Sequence, residues 1–118
     1  MRTFLSLVLF LPLLAWANQT VLIYESKGEK QCEGGGVSLS DSRQKLRNAG
    51  VEVIHSKCGY RTGIEVMAVC GASTLKILLH EIKASDLEKA EDIGMQRAGT
   101  LVSKEEGTGY EFRQCPNA

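Results

Sequence analysis

Apolar and polar residues follow one another in short runs along most of this chain, and only two stretches repeat at helical spacing. Residues 20–25, Thr-Val-Leu-Ile-Tyr-Glu, are β-branched and apolar and run into a Gly/Lys/Glu-rich stretch over 26–36, which predicts a first strand and its exit. Leu39, Leu46 and Ala49 recur near the helical period, with Ser40 where an N-cap is wanted and Gly50 where a left-handed residue closes a helix. Three further strands are expected at 51–57, 64–70 and 75–82. The Gly-bearing breaks at 58–63 and 71–74 would make them an antiparallel meander. Ser85-Asp-Leu-Glu88 has the form of a capping box and opens a second helix with Leu87, Ala90 and Ile93 inward. Residues 101–103 and 110–114, split by Glu105-Glu-Gly-Thr-Gly109, predict a closing hairpin.

The expected order is β-α-β-β-β-α-β-β. Strands and helices intermingled around one sheet predict an α+β fold: a two-layer sandwich with a mixed, largely antiparallel sheet and both helices on one face. The first β-α-β unit should make strands one and two parallel through a right-handed crossover.

With turns centred on Arg61/Thr62 and Ala72/Ser73, strand alternation sorts the meander into two faces. Val51, Val53, His55, Ile77 and Leu79 fall on the face that the helices cover. Ile54, Met67, Val69 and Leu78 form an apolar stripe on the other, which only the closing hairpin or residues 26–36 could cover. Contiguous exposed apolar surface marks an interaction site, so these four are the candidate binding residues, for a protein partner or a homodimer.

The N-terminus changes the picture. Arg2, an apolar stretch from Leu5 to Leu14 and Ala15-Trp16-Ala17 have the form of a secretory signal peptide cut after Ala17, leaving 18–118 as one exported domain. The stretch is too short to span a bilayer and no second one follows, so no membrane insertion of the mature chain is expected, and the destination is periplasmic or extracellular. Cys32, Cys58, Cys70 and Cys115 all lie beyond the cut, an even number that predicts two disulfides in an exported chain. The meander favours Cys32 with Cys58 at one sheet edge and Cys70 with Cys115 at the other. The 118 residues carry 14 Lys+Arg and 14 Asp+Glu, and this neutral balance gives no electrostatic reason to bind nucleic acid.

Candidate chemistry is thin. The expected register aligns Cys58, Glu65 and His80 in one cross-strand row, the parts of an activated thiol, and supports an alternative reading as a thiol- or metal-dependent enzyme. A disulfide at Cys58 would remove that nucleophile. His55 and Cys58, at odd spacing in a strand, point to opposite faces, and no Cys-x2-Cys pair is present, so no metal site is expected. Gly34-Gly-Gly36 lacks both the Gly-Lys-Ser/Thr ending and the Gly-x-Gly-x-x-Gly spacing that nucleotides require, and no cofactor is expected. With no catalytic motif, the sequence favours a small exported, disulfide-stabilised binding or accessory protein.

Overall fold

The β-branched run of residues 20–25 forms a strand as the sequence suggests, and everything else is arranged around its partner. The computed structural model describes residues 19–116, so the expected signal segment, 1–17, lies outside the described residues. Five strands, β1 (Thr20–Ser26), β2 (Val53–Thr62), β3 (Lys76–Lys83), β4 (Gln96–Arg97) and β5 (Gly109–Arg113), form one sheet in the order β4-β1-β3-β2-β5. Every pairing is antiparallel. The helices are α1 (Leu39–Asn48) and α2 (Leu87–Asp92), and the fold is α+β with two disulfides.

β1 and β2 do run the same way, but they are not neighbours: β3 is inserted between them, which removes the expected parallel pair. The larger correction concerns the meander. β2 continues through Cys58-Gly-Tyr-Arg-Thr62, where a turn was expected, and 64–70 is a loop rather than a strand. Gly59 misleads because it serves close packing, not reversal: a Cβ there would collide with the Leu79 side chain and come within 2.9 Å of the Glu111 carbonyl. Reversal begins at Gly63, whose φ of +77° is left-handed.

The register follows from that long loop. Ser56 pairs with His80 and Cys58 with Leu78, and an irregularity between Val53 and His55 shifts the alternation at Ile54. Val53, Ser56, Cys58 and Tyr60 therefore share the helix side with Ile82, His80 and Leu78, while His55, expected in the core, lies exposed near Glu81. β3 is central, and Ile77, Leu78, Leu79, His80 and Ile82 are all buried. A strand covered on both faces carries no apolar–polar alternation, so its faces could not be read from pattern.

On the helix side Ile23, Leu46, Val51, Ile82, Ala90 and Met95 form one core cluster. On the other side Ile77 and Leu79 pack with Ala98 and Leu101, which belong to a 3₁₀ turn at Ala98–Leu101. The cap of α1 is Ser38, two residues earlier than expected: its Oγ accepts from the Asp41 N–H at 3.0 Å. α2 has no side-chain cap and follows a 3₁₀ turn, Ala84–Asp86. The Asp86 carboxylate instead accepts from the Glu52 N–H at 2.9 Å and ties α2 to the start of β2. The closing hairpin is reduced to a bridge between Ser103 and Thr108, and β5 pairs with β2.

The disulfides are Cys32–Cys70 and Cys58–Cys115, with Cα separations of 5.1 and 5.2 Å, and not the expected pairs. With no strand at 64–70, Cys70 is never carried away from the loop after β1, where Cys32 waits. Cys115 follows β5, two residues beyond Arg113, the cross-strand partner of Cys58. Two bridges fit an oxidising periplasmic or extracellular compartment. Among the described residues no helix is long and apolar enough to cross a membrane.

Candidate functional site

Cys58, Glu65 and His80 do not come together. Cys58 has no free thiol, Glu65 stands exposed in the 63–75 loop, and His80 is fully buried on the helix side. Among the described residues no group of three or more His, Cys, Asp or Glu side chains is placed to hold a metal ion.

What surrounds His80 is a polar chain. Its Nε2 lies 2.8 Å from the Ser42 Oγ on α1, and its Nδ1 lies 2.7 Å from the Ser56 Oγ on β2. Ser42 in turn donates to Glu25 Oε2 on β1, whose Oε1 accepts from Lys45 at 2.7 Å. A carboxylate only accepts, so the single Ser42 proton goes to Glu25 and Ser42 must accept from Nε2–H. Nδ1 then carries the lone pair and accepts from Ser56. Burial lowers the His80 pKa from 6.5 to about 4, against the opposing charge of Glu25 and with help from Arg43 and Lys45. The imidazole is neutral and fully bonded, a strut that joins α1 to the sheet.

The second arrangement joins two loops, 27–37 and 63–75, in which no residue is buried. The first loop closes on itself: Lys30 N–H donates to Gly34 O at 3.1 Å, Gly34 N–H returns a bond to Lys30 O at 2.9 Å, and Val37 N–H reaches Lys27 O at 2.8 Å. Cys32 sits in this turn with φ +69°, a left-handed conformation costing a residue with a Cβ roughly 1–2 kcal/mol. The Cys32–Cys70 bridge holds it there against the second loop. Gln31 adds a three-bond clamp. Its Nε2 donates to Met67 O at 2.8 Å and to Ser73 O at 3.1 Å, and its Oε1 accepts from the Val69 N–H at 3.0 Å. Backbone bonds from Gln31 to Ala72 O (2.8 Å), from Gly71 to Gln31 O (2.9 Å) and from Thr74 to Glu29 O (3.1 Å) complete the seam.

The expected stripe is divided by this geometry. Leu78 is fully buried and offers no surface. Ile54, 43 % exposed, lies at the start of β2, about 25 Å of strand away from the loop that follows its end. Met67 and Val69 do stand together, joined by Val66, and are 79 %, 51 % and 41 % exposed. Ser42 was missed although a signal existed: it falls between Leu39 and Leu46 on the apolar face of α1, where a hydroxyl needs a buried partner. Gln31 carried no such signal, because its function depends on which backbone groups the second loop brings to it. No protein-family model matches the chain, and no curated protein or solved structure matches it either.

Proposed function

We propose that this chain is a small exported binding protein that engages a protein partner through the clamped loop 63–75, with Met67 as the anchor and Val66 and Val69 beside it. One observation carries the reading: a loop with no buried side chain is pinned by a disulfide, three Gln31 bonds and a backbone seam while its apolar residues face solvent. Ordering a loop during folding removes that entropy cost from the binding step. A flexible, polarisable Met at the tip then supplies apolar area for a partner to desolvate. A loop serving only to connect β2 to β3 needs neither the clamp nor an apolar tip.

A photo-crosslinking residue at Val69, used in the native host compartment, tests this. The expected result is a discrete adduct heavier than twice the chain's mass. Met67→Lys should reduce it at least tenfold with an unchanged melting temperature, and Ile54→Lys should leave it intact. An adduct of twice the chain's mass would assign the loop to self-association instead. Crosslinking indifferent to Met67→Lys sinks the proposal.

A further inference from the structure

The helix side of the sheet is only partly covered. Ten residues of α1 rise about 15 Å, whereas the ten of β2 extend about 33 Å. Beyond the first turn of α1 the face opens into a cleft of about 490 Å³, in the range of about 300–1,000 Å³ typical of small-molecule sites. Leu39, Tyr60 and the Cys58–Cys115 bridge give it an apolar floor.

Four cations line this cleft, Lys27, Arg43, Lys76 and Arg113, and among the described residues no carboxylate does. The chain as a whole is neutral, so the concentration of one sign is local. Two of the four are compensated from outside: Lys76 pairs with Glu29 at 2.8 Å, and Arg113 bonds Glu111 while stacking over the Tyr60 ring. The other two are not. Lys27 donates to the Val37 carbonyl at 3.0 Å, which satisfies a donor without cancelling its charge, and Arg43 makes no hydrogen bond or ion pair among the described residues. The amino end of α1 adds a partial charge of the same sign.

We infer that this cleft binds a small amphipathic organic anion, its acidic group held by Arg43 and Lys27 and its apolar body laid over Leu39, Tyr60 and the disulfide. An apolar floor attracts such a body by burial, and a cation without a counter-ion beside a low-dielectric wall attracts its charge more strongly than one in open water. Both requirements must be met by one molecule. The inference does not depend on the loop carrying Met67, which contributes nothing to the cleft.

Two dyes with the same aromatic body separate the contributions: 8-anilinonaphthalene-1-sulfonate, an anion, and N-phenyl-1-naphthylamine, which lacks the sulfonate. Each is titrated by fluorescence against the mature, disulfide-bonded chain, with near-ultraviolet circular dichroism verifying that every variant is folded. The anion is expected to bind one to one and at least tenfold more tightly than the neutral dye. Arg43→Gln should weaken the anion at least tenfold and the neutral dye less than twofold, and Lys27→Gln provides the same reading should Arg43→Gln fold poorly. Met67→Lys should change neither. Failure of the anion to bind, equal affinity for the two dyes, or indifference of the anion to both charge substitutions overturns the inference.

Discussion

The two ends of this sheet are ordered by different means. At one end Ile23, Leu46, Val51, Ile82, Ala90 and Met95 are removed from water between strands and helices, with the His80 chain joining the layers. At the other, loops 27–37 and 63–75 bury no residue and are held by Cys32–Cys70, Gln31 and backbone bonds. Burial is non-directional and tolerates small shifts, whereas a covalent and hydrogen-bonded clamp specifies one conformation and vanishes when its members are removed. The contrast shows how a chain this small can present a defined apolar surface without enlarging its core.

The sharpest way to break the comparison is to remove the covalent part of the clamp. Closing a 38-residue separation corresponds to about 4 kcal/mol of loop entropy, and measured disulfides typically contribute about 2–4 kcal/mol. Cys32→Ser with Cys70→Ser should therefore destabilise the chain by about that much. Hydrogen exchange should accelerate across 27–37 and 63–75 well before it does in β1 and β3. Equal acceleration everywhere would mean that the two ends are a single cooperative unit.

Acid should act on the opposite end. The folded pKa of His80, about 4, lies below its unfolded value of 6.5, so between those pH values the unfolded chain binds a proton that the folded chain refuses. The contribution is complete above about pH 6.5 and is lost as pH falls toward 4, up to about 3 kcal/mol in all. Denaturant midpoints measured from pH 7 to pH 4 read the loss. The His80 imidazole, followed by NMR, should remain neutral at pH 5; protonation there would show that the strut is more open to water than its burial implies.

The smallest effect isolates one polar member of the clamp. Gln31→Ala removes three hydrogen bonds to exposed backbone and should cost about 1 kcal/mol. Exchange of the Val69 amide, which loses its acceptor, should rise about fivefold to tenfold with little change in the protection of Leu79. An unchanged Val69 would leave the disulfide as the sole restraint.

What could be read in the sequence divides along the same line. β1, α1 and the cysteines' oxidised state were legible because periodicity, β-branching and an even Cys count each report one local cause. Gly59 and Gly63 look alike as letters, yet one allows a close approach beneath Leu79 and the other makes the turn; the neighbours that distinguish them lie far along the chain. That single ambiguity, with the irregularity at Ile54, displaced the register, put His80 and Leu78 on the wrong side and led to the wrong cysteine pairs. The clamp was invisible because Gln31 acts only through carbonyls and an amide from another loop.

The order of the cysteines along the chain has one more consequence. Cys58 lies between Cys32 and Cys70, and Cys70 lies between Cys58 and Cys115, so the two bridges interleave. A protease that cuts once anywhere from 33 to 114 severs the backbone without freeing a fragment, since at least one bridge always spans the break. The nicked protein remains one covalent molecule, and only a reductant would reveal that it had been cut.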